Sequence, residues 1–515
     1  MACGAAHDIE AFAGPDTKRV SLAGRFVMPG LIESHTHALM GACRDLFQIY
    51  VGYTATTGQL ADAVRQKAAD TDKGAWISGG PWRYQMRDDL GMTPREWLDA
   101  LAPEHPVALV DTSLHAIWCN SRALEIVGYD ETTPAIAGGV IEKGPDGKLT
   151  GFLAEAACAA MRESYKETPQ QLREACDYAV TYLNSLGYTG FKEPSADEET
   201  LEAYARACDE GRWSLHGAAH ITAYSPLTVG MVGIDKINTL RARYERSDLK
   251  LSYAKLFLDG VAPAHTASFS DPYQPAEGYD PTQHDPDETL LMSPDELNAK
   301  VTELDRHGYV VKMHAVGDNA IRKGLDAIEA ARRANGASGL RHEIAHSAFV
   351  SDEDLPRFAS LGAVAEVSPK LWMPNAATPA QLAVLSAEQM RKLHRIRDLL
   401  DAGAEVVFAT DWPASAPDAD PWSGLAGMLN RQDPTGAFSG SMNASQAIGL
   451  EQALGLFTTN SARALGLEGE TSVLAPGAWA DFIVLSDDIR ELSPEQIGAI
   501  QVQETIWKGN TVFAA

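Results

Sequence analysis

From about residue 185 to residue 411 the chain alternates short apolar runs with helical ones, and that alternation restricts the fold more than any other feature. "GYTGFKEP" is followed by the helical "DEETLEAYARACDE", and "SLHGAAHIT" leads to a segment ending "INTLRARYERS". "LSYAKLFLDG" runs into a loop rich in Pro, Asp and Gly over residues 259–287. Next comes "SPDELNAKVTELDRHG", which reads as a helix with Ser293 as N-cap and Glu296 closing a capping box. "YVVKMHAVG" is a strand, and "DNAIRKGLDAIEAARRANG" is a helix stopped by Gly336. "HEIAHSAFV", "GAVAEVSP" and "EVVFATDWP" add three strands, and "PGLIESHTH" upstream makes eight. Strands separated by helices pair in parallel, so eight such units predict an α/β fold, a (β/α)8 TIM barrel.

The rest of the chain falls outside that pattern. Residues 55–178 separate the first strand from the second and are too long for an ordinary βα connection. They predict an inserted subdomain, placed to cover the barrel mouth, between barrel segments 30–54 and 179–465. The last segment, 466–515, is β-rich with Gly and Pro turns, and short strands within 1–29 are expected to pair with it.

Bulk properties exclude several classes. Net charge is −27, with 70 acidic against 43 basic residues, which disfavours nucleic acid and anionic membrane as partners. No apolar run is long enough to span a bilayer, and "MACGAAHDIEAFAG" has no basic region followed by an apolar core. Six cysteines lie far apart without a CxxC, which argues against a disulfide framework and fits a reducing cytoplasm.

The chemistry gathers at strand ends. In "SHTH", His35 and His37 are two apart, so on a strand both imidazoles face the same way. His314 ends "VVKMHAVGD", His346 ends "EIAHSAF" and Asp411 ends "VVFATDWP". Each alone has a packing explanation: a satisfied core histidine, or a helix cap for Asp411. Four histidines and an aspartate at matching strand ends are harder to explain by packing, because imidazole and carboxylate are the ligands of zinc and similar divalent metals.

Lys255 lies in the middle of "KLSYAKLFLDG". Lysine is seldom buried without a partner. Spacing alone favours a carboxylate partner such as Asp259 or Asp411. The alternative is a neutral amine, its pKa lowered by burial, that adds carbon dioxide to become an anionic carbamate.

"VMPGLIESHTH", "KLFLDG", "HAVGDNAI", "RHEIAHSAFV", "FATDWP" and "LFTTNSARALGLEGETSVLAPGAWADFIVLSDD" together resemble the metal-dependent amidohydrolase superfamily. More narrowly the chain is similar to its YtcJ-like branch, which includes N-substituted formamide deformylases. "DTSLHAIWCNSRAL" in the insertion fits that branch. The resemblance implies a barrel with a small β-sandwich built from both chain ends. It implies two divalent metals, zinc foremost, with manganese, cobalt or iron left open. His35 and His37 would hold one metal, His314 and His346 the other, and a carboxylated Lys255 would bridge them in a binuclear centre. Asp411 would complete the first metal and carry the proton, and His115 would reach the substrate from the insertion. Glu33 and Ala345 depart from the family pattern beside the ligands. The chain start, "MACGAAHDIEAFAGPDTKRV", matches the middle of the family's N-terminal segment, so the sandwich is expected to lack strands and expose an edge.

The reaction this implies is hydrolysis of a carbon–nitrogen bond in a non-peptide amide, N-acyl, N-formyl or cyclic amide small molecule, by a metal-bound hydroxide with Asp411 as general base and then acid. Trp76, Trp82, Tyr84, Trp97 and Trp118 in the insertion would either fill its core or line a pocket for a hydrophobic or aromatic group. Two other readings stand beside it: a mononuclear deaminase with unmodified Lys255, and a non-catalytic regulatory homologue. The oligomeric state is open, a homodimer included.

Overall fold

The computed structural model describes residues 2–515 apart from 3, 18, 23, 137, 226–229, 277, 278, 376 and 415. Eight parallel strands follow one another around a sheet in chain order: β1 (Leu31–Glu33), β2 (Tyr188–Ala196), β3 (His216–Thr222), β4 (Leu249–Phe257), β5 (Val310–Ala315), β6 (Glu343–His346), β7 (Val364–Val367) and β8 (Glu405–Phe408). β8 returns to β1, where Ser34 N–H donates to Phe408 O at 3.2 Å and Asp411 N–H to His35 O at 2.8 Å. The eight runs read from the sequence are these eight strands, and the sheet is a (β/α)8 barrel.

Local chemistry explains where the helices begin and end. Ser293 Oγ accepts from Glu296 N–H, and Glu296 Oε2 accepts from Ser293 N–H at 3.0 Å, which is the expected capping box at the head of helix Pro294–Arg306. Such a cap contributes about 1 kcal/mol. Helix Asp318–Asn335 turns Ala320, Ile321, Leu325, Ile328 and Ala331 inward at helical spacing and ends at Gly336, with φ 81°. Its N-cap, Gly317, has no room for a side chain: a Cβ there would lie 1.9 Å from Ser268 O.

Residues from both chain ends meet in one four-stranded antiparallel sheet of Phe26–Pro29, Phe482–Leu485, Val502–Trp507 and Asn510–Ala514, in that order. Phe26–Pro29 and Asn510–Ala514 are its edges among the described residues. The sheet is tied to the barrel by Thr505 Oγ1, which donates to Asn184 O at 2.7 Å.

Between β1 and β2 a separate six-stranded mixed sheet runs Ile49–Tyr50, Ile77–Trp82, Val107–Asp111, Ala116–Cys119, Leu149–Glu155, Gly139–Lys143. It has its own core, in which Trp82 and Trp118 stack with ring centroids 4.3 Å apart and planes at 10°. A stacked pair contributes about 0.5–1.5 kcal/mol beyond its buried area. The sheet already begins at Ile49, and helix Pro169–Ser185 packs on the barrel as the lead into β2. No described helix is long and apolar enough to cross a membrane. The five described cysteines are free; Cys3 lies outside the described residues.

Candidate metal and active site

The barrel ends and the insertion enclose a cavity of about 330 Å³. His35, His37, Lys255, His314, His346 and Asp411 line it from the barrel, and Arg83, Tyr84, His115 and Arg162 line it from the insertion. All seven residues singled out from the sequence therefore face one space. Of the five aromatic residues considered for the pocket, Tyr84 faces it, while Trp82 and Trp118 are fully buried in the subdomain core.

The tightest group is His35, His346 and Asp411, whose donor atoms all lie within 4.8 Å of one another. It cuts across the pairing of His35 with His37 and His314 with His346. Asp411 Oδ1 is 3.3 Å from His35 Nε2 and 3.7 Å from His37 Nε2, and Oδ2 is 3.7 Å from His346 Nδ1. His346 Nε2 and His314 Nδ1 are 2.9 Å apart. His346 and Asp411 have positive φ, 70° and 60°. A non-glycine backbone in that region costs on the order of 1–3 kcal/mol, so the surrounding structure must hold both residues there.

Other carboxylates orient the histidines. Glu366, on β7, binds His35 Nδ1, and Glu193, on β2, lies 3.3 Å from His37 Nδ1. Each carboxylate sits on the Nδ1 side and leaves Nε2 toward Asp411, the arrangement by which a carboxylate orients a metal-binding histidine. Glu33, the departure before the HxH, accepts from His35 N–H at 2.9 Å and Thr410 N–H at 3.0 Å, so it ties the ends of β1 and β8 together.

Lys255 does not have the carboxylate partner that spacing favours. Asp259 Oδ2 accepts from Ser268 N–H and Gly317 N–H, and Oδ1 from Val316 N–H, so it braces the loops after β4 and β5. Asp411 faces the histidines. Among the described residues Lys255 forms no ion pair, and its Nζ lies 4.7 Å from the Phe257 ring centroid. Burial, with the Lys312 charge nearby, pushes Lys255 down to about 7. Burial also raises Asp411 to about 7 and holds His35, His314 and His346 well below the usual histidine range.

Beneath the site the barrel interior is charged. Lys312 binds Glu366 and donates to Ser34 O at 2.6 Å, and its Nζ is 3.3 Å from Glu343 Oε2. Lys192 binds Glu343, and His220 Nε2 lies 3.4 Å from Glu343 Oε2. Sequence reading passed over Lys192, Glu193, His220, Lys312, Glu343 and Glu366. The signal was the one noted for Lys255, a charge inside an apolar run.

On the insertion, His115 Nδ1 is 3.0 Å from Glu155 Oε2. Burial works against an imidazolium here, but the Glu155 carboxylate outweighs it and the His115 pKa is raised. Glu155 has φ 50° and ψ −129°, a strained backbone for a residue with a side chain. His115 and His314 have ring centroids 6.0 Å apart, so the insertion brings an imidazole close to the barrel donors.

Barrel, chain-end sheet and strand-end donors define a β/α-barrel hydrolase architecture. The amidohydrolase family model matches residues 18–513, and the chain belongs to that family. It is 27% identical over 523 residues to N-substituted formamide deformylase of Arthrobacter pascens, covering 98% of this chain and 91% of the relative. It is also 27% identical over 490 residues to Protein LONG AFTER FAR-RED 3 of Arabidopsis thaliana, covering 93% of this chain and 81% of that one. A crystal structure of an uncharacterized metal-dependent hydrolase from Pyrococcus horikoshii has the same fold, with a TM-score of 0.72 at 24% identity over 95% of this chain and 91% of that one.

Proposed function

We propose that the protein is a metal-dependent hydrolase that cleaves a carbon–nitrogen bond in a non-peptide amide, N-acyl, N-formyl or cyclic amide small molecule. The observation that carries this reading is the convergence of His35, His346 and Asp411 within 4.8 Å, with His37, His314 and Lys255 lining the same cavity. The donor set suits divalent metal, because imidazole and carboxylate are zinc-type ligands, and Glu366 binds the outer nitrogen of His35 while Glu193 faces that of His37. His35, His37, His314, His346 and Asp411 would hold two ions, with zinc the first candidate. Lys255, once carboxylated, would bridge them; a buried amine close to neutrality is the form that adds carbon dioxide. When bound, such ions activate water and polarise a carbonyl.

The chain's own residues do the rest. Asp411 takes the proton of the attacking water and passes it to the leaving nitrogen, a role that its position beside His35 and His346 at the cavity allows. His115 gives its Nδ1–H to Glu155, so its Nε2 can donate to a developing oxyanion only when the ring is protonated, and Glu155 favours that form. The relative that cleaves N-substituted formamides supports this substrate class.

The test is metal analysis together with turnover of N-formyl and N-acyl arylamines. Asp411→Asn should lower kcat by roughly 10²–10⁴ without altering the circular dichroism spectrum. Full activity in that variant would refute the role assigned to Asp411.

A further inference from the structure

Two arginines on the cavity wall have hydrogen-bond donors to spare. Apart from Asp411, which faces the histidines, most carboxylates around the cavity are committed within the protein. Glu193 Oε2 accepts from Tyr204 Oη at 2.8 Å and Ala38 N–H at 3.1 Å, and its Oε1 faces His37. Asp111 accepts from Ala116 N–H at 2.8 Å and Ser113 N–H at 3.0 Å, and Asp197 from Thr200 N–H at 2.9 Å. Above them Glu155 Oε2 is held by His115, while its buried Oε1 has no hydrogen-bond partner among the described residues and the Arg162 charge acts on the carboxylate without a direct ion pair.

The two arginines that line the cavity are the opposite case. Arg83 gives one N–H to Ala55 O at 2.8 Å, and Arg162 gives one to Leu114 O. The Nε of each is buried without an acceptor, and among the described residues neither guanidinium pairs with a carboxylate. In a chain with 70 acidic and 43 basic residues, cations are the scarce charge, so two left unpaired in the catalytic cavity call for a partner from outside. A second cavity of about 500 Å³ adjoins the first, and Arg162, Leu114, Leu39 and Met40 line both, which sets Arg162 at the junction. A guanidinium is a planar fork matched to a planar carboxylate.

We propose that Arg83 and Arg162 form a carboxylate-binding subsite, and that the substrate is an N-acyl or N-formyl compound bearing a carboxylate, such as an acylated amino acid or aminobenzoic acid. This rests on the amidohydrolase reading for the bond that is cut, and on the arginines alone for the anion. Tyr84 and Phe257 line the same cavity and suit an apolar spacer.

The experiment is calorimetric titration of the purified, metal-containing protein with 4-acetamidobenzoate and with its methyl ester, which share the amide and differ in charge. The acid should bind at least about tenfold more tightly than the ester. Arg83→Met or Arg162→Met should bring the affinity for the acid down to that of the ester. Equal binding of the two compounds, no binding of the acid, or an acid affinity unaltered in both variants would overturn the subsite. The comparison on the wild-type protein stands even if a variant fails to fold. Acetate release is followed separately. Tight, arginine-dependent binding of the acid without hydrolysis of any acyl arylamine would count against the amidohydrolase reading and leave the subsite standing. Hydrolysis of acid and ester with equal affinity would do the reverse.

Discussion

Glu155 Oε2 stands 3.0 Å from Nδ1 of His115, and both belong to the inserted subdomain, not to the barrel. The two strands that carry this pair meet through Glu155 N–H, which donates to His115 O at 2.9 Å. The sheet of the insertion therefore sets an imidazole near the barrel donors, and in the proposed mechanism that imidazole takes part in the chemistry.

Glu155→Gln removes the charge that raises the His115 pKa. A raised histidine is protonated below its folded pKa and loses the proton as pH rises through it. The variant should therefore lose the protonated form at lower pH, and the descending limb of its pH–rate profile should move acidward. The maximal rate should fall on the order of tenfold to a hundredfold. An unshifted profile in steady-state assays would show that His115 does not act as a cation.

In the proposed mechanism Lys255 sets the number of metals. Wild-type protein should carry about two ions per chain by atomic emission, and Lys255→Met about one or none, since a thioether cannot become a carbamate. Short carboxylic acids with added zinc should partly restore turnover to Lys255→Ala by supplying the missing anion. Two ions in Lys255→Met would remove the bridging role.

Glu366 holds the Nδ1 of His35 and is itself held by Lys312. Glu366→Gln keeps the shape and removes the charge. Metal affinity measured against a chelator should drop about 10–100-fold. A drop in thermal stability with unaltered affinity would assign Glu366 to folding alone.

Asp305 provides a stability test away from the site. Its carboxylate accepts from Ser338 Oγ at 2.6 Å and Asn335 Nδ2 at 2.8 Å, and lies 3.0 Å from both His342 Nε2 and Arg332 Nη1. Burial opposes the charge, but these donors hold the Asp305 pKa well below the usual carboxylate range. A depressed carboxylate stabilises the fold above its unfolded pKa, near 4, and the effect drains away as pH falls toward the folded value. Urea denaturation should show Asp305→Asn less stable by about 1–3 kcal/mol at pH 7, with the gap narrowing below pH ~4.

The order of elements could be read from the chain because its signals are local. An apolar run of β-strand length, a capping box at Ser293 and a glycine at 336 each act over a few residues, so eight strands and the helices between them were legible. So were His35, His37, His314, His346 and Asp411, because a barrel places the end of every strand at one mouth. Lys255 was legible as an anomaly, but its surroundings were not. Distance in space decides ion pairing, and the nearby charge of Lys312 belongs to another strand, 57 positions on. The same holds for Glu366 on His35, separated by 331 residues, and for Glu155 on His115, where a sheet register sets the contact. Periodicity shows which way a side chain faces. Only the closed barrel and the insertion packed over it show what each side chain meets, because electrostatics and desolvation depend on neighbours that the chain order does not contain.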